Sequence, residues 1–288
     1  MPTEQGAEES AQLRFLTFNV LSRDQAAGEQ RERVIQHGLT ELRPDVAALQ
    51  EVTRTEELDQ VRALLGPGYV LIDHPSTSTD GVGACLASRW PVRSVRTLDL
   101  HLTAASADLP WVATVAVEVV APPPFGPVLV VHHKPSWQHG AEQDRERQAV
   151  AAAGFVEALV VERTDLPVVL LGDFDAAPDA ASMRFWTGRQ SLHGISVRYE
   201  DAWEVVHPGQ PGYTFSPGNP LVRNGQMPLE RGRRIDHVLV RSGSHGPLLD
   251  VADCRLVFDE PVGGVWASDH FGVLADLCLP PHPPGTWR

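Results

Sequence analysis

The sequence predicts a single α/β domain. Strand-like apolar runs alternate with helix-period segments along the whole chain, and no linker or repeat interrupts them. A hydrophobic fraction of 42% is enough for a substantial core. A length of 288 residues alone would allow one large domain or two small ones, so the unbroken alternation decides.

Residues 14–20 read as the first strand. Residues 30–42 read as a helix that ends ahead of Pro44, because proline disfavours helical geometry in the residue before it. Residues 46–49 are a short continuous apolar run, the pattern of a strand covered on both faces. Further strands fall at 69–73, 83–88, 111–120 and 128–131. The longest helix spans 142–163, with Ala151, Phe155, Ala158 and Leu159 as its expected core stripe. Strands at 168–171, 235–240 and 271–277 complete the set. The Gly- and Pro-rich stretch 207–233 is too long for a plain connection and reads as a functional or mobile loop. The domain covers 13–279, between a polar tail (1–12) and a Pro-rich tail (280–288), both read as flexible.

Composition narrows the class. Lys plus Arg number 24 against 37 Asp plus Glu, a formal charge of −13. Such a surface repels polyanions at long range and excludes general electrostatic steering toward nucleic acid. Cys85, Cys254 and Cys278 are few and widely spaced, which suits a reducing compartment and argues against a disulfide framework. The first dozen residues lack the basic and apolar regions of a signal peptide, and no apolar run is long enough for a bilayer. A soluble, cytoplasmic protein is expected.

The chemistry concentrates where apolar strands stop at reactive side chains. Residues 128–131 deliver His132, His133 and Lys134; 168–171 deliver Asp173 and Asp175; 46–49 deliver Gln50 and Glu51. Asn19 sits in the first strand, Asp236 and His237 open another, and Asp269 and His270 precede the last. One such junction would usually be a turn or helix cap. Six imply a shared site, since ionisable groups beside buried strands are costly unless they pair or hold a cation. The donors are mainly oxygen, which selects hard ions such as Mg²⁺ or Mn²⁺. Zinc is the rival, with neither an H-E-x-x-H motif nor a cysteine pair to support it.

Taken in order, the junctions resemble the endonuclease/exonuclease/phosphatase superfamily, which includes pancreatic-type deoxyribonucleases and apurinic endonucleases. The matching motifs are T-F-N-V (17–20), L-Q-E-V (49–52), V-H-H-K-P-S-W (131–137), G-D-F-D (172–175), R-I-D-H-V-L-V (234–240) and S-D-H-F-G-V (268–273). A weaker match runs from 81 to 92. The resemblance implies a four-layer α/β/β/α sandwich and a Mg²⁺- or Mn²⁺-dependent phosphoesterase, with a phosphodiester, phosphomonoester or nucleic acid as substrate. It implies Glu51 as principal metal ligand, with Asn19 nearby and Asp269 supporting the metal shell. Asp173 would orient or deprotonate water, and His270 would act on the phosphoryl group with its imidazole held by Asp236. His133, rather than His132, aligns with a phosphate-stabilising histidine. Two positions depart from the pattern. Asp175 stands where most members carry Asn, and an ionised Asp accepts hydrogen bonds without donating them. Leu21 stands where some nucleases carry an acid.

Lys134, Arg223, Arg231, Arg233 and Arg234 are candidates for an anion-binding rim, and Trp137 and Trp266 for stacking or core. The competing reading is a catalytically reduced module that only binds phosphorylated partners. A structural zinc site would need His132, His133, His237 and His270 to converge.

Overall fold

Strands whose alternate residues are all apolar need cover on both faces, and this chain supplies it by packing two sheets together. The computed structural model describes residues 11–287. Most of the predicted N-terminal tail (1–10) and residue 288 lie outside the described residues, and Gln12 already opens the first strand. The elements are β1 (Gln12–Asn19), α1 (Gly28–Leu42), β2 (Val46–Thr53), α2 (Gln60–Leu65), β3 (Val70–Asp73), β4 (Val82–Ser88) and β5 (Val92–Asp99). Next come β6 (Ala113–Ala121), β7 (Gly126–Lys134), α3 (Glu142–Val160), β8 (Val168–Asp173), α4 (Ala181–Trp186), β9 (Tyr199–Asp201) and α5 (Ala202–Val206). The chain closes with α6 (Pro220–Arg223), β10 (Asp236–Gly243), β11 (Gly246–Pro247), β12 (Asp250–Val257) and β13 (Gly272–Cys278).

One sheet has the order β12-β13-β1-β2-β4-β3, and the other β11-β10-β8-β7-β6-β5 with β9 beside β10. Both are mixed: β1–β2 and β7–β8 are parallel pairs among antiparallel neighbours. Phe15, Ala48, Val130, Leu171 and Val238 belong to the core between the sheets. The alternate residues face outward, as period-2 geometry requires. Val131 and Leu170 meet Ala149 and Val156 of α3, while Leu16 and Leu49 meet Ile35 of α1 and Leu64 of α2. The result is the four-layer sandwich, with both sheets' central strands buried.

Four strands escaped the sequence reading: the short β9 and β11, and the edge strands β5 and β12. β5 and β12 close one side of each sheet, and their alternating charged residues (VRSVRTLD in β5) mask the apolar pattern of a strand. The expected core stripe of α3 is also corrected. Ala152, Ala153, Val156 and Val160 are buried, whereas Ala158 is exposed and Phe155 and Leu159 are half-buried. A helix with small apolar residues on several sides does not set its own phase; the sheet beneath it does.

A buried ion pair ties β9 to the start of β10. Arg234 Nη1 donates to Asp201 Oδ2 at 2.6 Å, both side chains almost fully enclosed, and His237 lies 3.5 Å from the same oxygen. Burial alone would raise the Asp201 pKa, but His237 and Arg234 hold it well below the usual carboxylate range. Its contribution to stability is therefore present above about pH 4 and lost as pH falls through the depressed value. Arg234→Met is expected to cost about 3 kcal/mol by leaving Asp201 without its main counter-charge. The urea midpoint at pH 7 checks this, and an unchanged midpoint would refute it.

Candidate active site

The polar ends of the inward-facing strand rows meet at one edge of the sandwich. On β1 the inward series runs Leu13, Phe15, Thr17, Asn19, and on β8 it runs Val169, Leu171, Asp173. Lys134 ends the same series on β7, and Asp236 opens it on β10. Glu51 would face outward by simple alternation. Instead, the β2–β4 register shifts between Gln50 and Val52, and Glu51 takes a left-handed φ of 57°. This β-bulge breaks the alternation at Glu51 and re-aims its carboxylate into the site. Gly172 has φ 155°, and a Cβ there would lie 2.1 Å from the His133 carbonyl oxygen, so only glycine lets β8 sit this close to β7.

Asn19 organises the floor. Its Nδ2 donates to Glu51 Oε1 at 2.9 Å and to Asp173 Oδ2 at 3.1 Å, while its Oδ1 accepts from the Leu21 N–H at 3.0 Å. Lys134 Nζ lies 3.0 Å from Asp173 Oδ2 and also bonds Asp175 Oδ2. Burial disfavours the Lys134 ammonium, but these two carboxylates outweigh it and raise its pKa. Burial likewise opposes ionisation of Asp173, yet Lys134, His270 and Asn19 hold it at about 2. Asp175 is pushed up to about 6 by burial and by the Asp173 charge. The two acids thus divide the help of one lysine unequally. His270 Nδ1 bonds Asp236 Oδ2 at 2.9 Å; against the penalty of burial, Asp236 lifts the imidazole to about 10 and keeps it protonated. Ser268 Oγ donates to the Asn19 carbonyl at 2.7 Å, coupling the Asp269–His270 loop to β1.

The donor set suits a hard divalent cation. Burial and the nearby Asp269 raise the Glu51 pKa, an electrostatic cost that a cation between them would relieve. Asp236 Oδ1 is buried without a partner, a further oxygen with spare acceptor capacity. Asp173, Asp236 and His270 also present atoms within 4.8 Å of one another. There, however, His270 Nδ1 already binds Asp236, so that trio is better described as a hydrogen-bonded relay beside the Glu51–Asp269 pair.

The structure thus gathers Asn19, Glu51, Asp173, Asp175, Asp269 and His270 around one cavity, with Asp236 behind His270. His133 is not among them. It points to the other face of the sheet, with Nδ1 2.8 Å from Thr114 Oγ1 and its ring against Phe174 and Trp186. The alternation that separates it from His132 puts Lys134 in the cavity and His133 in the helix layer. His132 lies one level beneath the site, 2.8 Å from Gln50 Nε2 and against the His74 ring. His237 bonds the Ala176 carbonyl, so the four histidines of a zinc site do not converge.

The expected arginine rim is also absent from the cavity. Arg233 pairs with Glu230, Arg223 bonds the Pro217 carbonyl, Arg231 is exposed and Arg234 is buried. Trp137 lines the cavity, whereas Trp266 stacks on Phe271. The 207–233 stretch forms one wall: buried Asn219 donates to the Ser268 carbonyl at 2.7 Å, and the Thr214 carbonyl accepts from the Phe271 N–H. Arg31 escaped the sequence reading altogether. This buried side chain donates to the carbonyls of Val20, Leu21, Ser22, Gln25, Ala26 and Ala267, fixing the loop after β1. A charged residue in a first helical turn carries no sequence signal of that role.

A two-sheet sandwich whose strand ends converge on hard oxygen donors and a His–Asp relay defines a class of divalent-cation sites on this architecture. Within that class, the chain belongs to the Endonuclease/Exonuclease/phosphatase family, whose sequence profile matches residues 16–270. It is 25% identical over 253 residues to human (Homo sapiens) sphingomyelin phosphodiesterase 2, covering 83% of this chain but only 58% of that protein. Among solved structures, the D. rerio TDP2 complex with a single-strand DNA product superposes with a TM-score of 0.70 at 18% identity, covering 93% of this chain and 99% of that one. A Bacteroides vulgatus endonuclease/exonuclease/phosphatase superposes with a TM-score of 0.69 at 22% identity, covering 94% and 100%. No described helix is long and apolar enough to cross a membrane.

Proposed function

We propose that this chain is a divalent-metal-dependent phosphodiesterase, with Mg²⁺ or Mn²⁺ as its ion. The observation that carries the reading is the meeting of Asn19, Glu51, Asp173, Asp269 and His270 at the floor of a single cavity. Glu51 and Asp269 would hold the ion, which when bound polarises a phosphoryl oxygen and offsets its charge. Asp173, held ionised, accepts a hydrogen bond from the attacking water and orients it in line with the scissile bond. The protonated His270 donates to a phosphoryl or leaving-group oxygen, and Asp236 keeps its ring in the required orientation. Asp175, which cannot donate as an Asn would, acts through Lys134 by sharing that ammonium with Asp173. The names of the relatives support the substrate type, since sphingomyelin and DNA strands both contain phosphodiesters. A module that only bound phosphate would have no need of a buried, paired His–Asp relay.

Hydrolysis of bis-p-nitrophenyl phosphate tests this directly. Turnover is expected with Mg²⁺ or Mn²⁺ and should vanish on addition of EDTA. Asp173→Asn is expected to lower kcat about a hundredfold, since Asn keeps the geometry and loses the charge. Turnover that survives chelation would overturn the metal assignment, and no turnover on any phosphoester would overturn the reading.

A further inference from the structure

The floor of the site rests on a second polar layer, one step back along the inward-facing strand rows. Behind Asn19 on β1 lies Thr17, behind Lys134 on β7 lies His132, and next to the displaced Glu51 on β2 lies Gln50. All three are fully buried. The Gln50 side chain joins them: its Nε2 lies 3.2 Å from Thr17 Oγ1, 3.1 Å from the Ala48 carbonyl oxygen and 2.8 Å from His132 Nε2. Thr17 and Ala48 belong to the sheet that carries Glu51, whereas His132 belongs to the opposite sheet with Lys134 and Asp173. Gln50 is therefore a strut from one sheet to the other, one level beneath the site.

As core filling, this layer is costly. His132 Nδ1, both His74 ring nitrogens and Gln50 Oε1 are buried without a hydrogen-bond partner among the described residues, a cost that an apolar layer would avoid. The chemistry of the strut is nevertheless well defined. Gln50 Nε2 faces the Ala48 carbonyl oxygen, which demands a donor, so the amide is not turned over and Nε2 donates to His132 as well. Burial, with His74, His133 and Lys134 nearby, holds the His132 ring neutral. Its Nε2 is then the acceptor and its proton sits on Nδ1. The buried His74 ring packs 4.4 Å from that of His132 at 68°, which leaves the imidazole little freedom to turn away from Gln50.

We propose that Gln50 and His132, backed by His74, are positioning residues for the cation site: they set the spacing of the two sheets and so hold Glu51 opposite Asp173 and Lys134. This rests on the reading above in which Glu51 holds the ion. Gln50 is the last residue of β2 in register before the bulge, and Glu51 follows it directly with its left-handed φ. A residue in that conformation keeps it only where its surroundings fix it, and the strut fixes the residue before it to both sheets. None of the three touches the reacting atoms. Their effect reaches the site through Glu51.

Mn²⁺ binding without substrate, followed by electron paramagnetic resonance, reads the effect. His132→Leu is expected to raise the Mn²⁺ Kd about tenfold, the scale on which residues behind metal ligands act. Its urea midpoint in EDTA should equal or exceed that of the unmodified protein. Gln50 Nε2 has two hydrogens and keeps Thr17 and Ala48 as acceptors, so the substitution strands no donor and removes an unpaired ring nitrogen. His132→Gln, whose side-chain carbonyl can accept from Gln50, should recover most of the lost affinity. A merely structural role predicts the reverse, a lower midpoint with an unchanged Kd, and that result would overturn the inference; so would a His132→Gln loss as large as that of His132→Leu. Should His132→Leu not fold, the imidazole nitrogen NMR shifts of the unmodified protein decide. A neutral His132 with its proton on Nδ1 is expected, and a proton on Nε2 would remove the acceptor and the strut with it. No Mn²⁺ binding by the unmodified protein would overturn the metal reading itself, whereas an unchanged Kd in His132→Leu overturns only this inference.

Discussion

Replacing His270 with Ala is expected to lower kcat about a thousandfold, roughly 4 kcal/mol of transition-state stabilisation, with KM changed only a few-fold. The expectation follows from where the proton sits. Asp236 raises the His270 pKa to about 10 and so keeps the imidazolium charged near neutrality, where it can donate to an oxygen that gains charge as the reaction proceeds. A donor that acts mainly in the transition state changes kcat far more than binding. Asp236→Asn should give a smaller loss, because it retains a partner for Nδ1 while removing the charge that holds the proton. Steady-state kinetics on bis-p-nitrophenyl phosphate reads both effects. Full turnover by His270→Ala would remove His270 from the chemistry.

Replacing Lys134 with Met is expected to destabilise the fold by about 4–5 kcal/mol when measured in EDTA. Lys134 is the ammonium between Asp173 and Asp175, and its removal leaves two buried carboxylates side by side with no cation between them. Two companion measurements distinguish this electrostatic account from simple loss of packing. Adding Asp175→Asn to the Lys134→Met protein should restore much of the stability, since the second substitution removes the charge that the first left unpaired. Divalent metal should also stabilise the single variant more than the unmodified protein, because an ion bound to the folded state replaces part of the missing positive charge. Urea midpoints with and without Mg²⁺ check both. An Asp175→Asn change that adds further destabilisation would refute the counter-ion role.

Much of the candidate site is legible in the sequence. Asn19 sits in the first apolar run, Glu51 and Asp173 follow the ends of theirs, and Asp236, Asp269 and His270 stand at the start of others; burial beside a strand end is costly for a lone ionisable group. Residues of those types, repeated at successive junctions, could be stable only by meeting. The central strands were legible for the same reason, being continuous apolar runs. The edge strands β5 and β12 were not, since an edge needs charge to resist pairing with other chains and that charge hides the strand pattern.

What the chain alone determined, then, is the α/β class, the buried strands and the chemical types gathered at their ends, because hydrophobic period and desolvation cost act on each segment by itself. Which face each side chain uses was decided only by tertiary structure. A bulge in β2 turned Glu51 inward, and the register of β7 sent Lys134 to the acids and His133 to the helix layer. Arg31 became a clamp on six carbonyls only because the loop after β1 folded around it. Strand faces and buried pairings depend on contacts between residues far apart in sequence, so no local pattern encodes them.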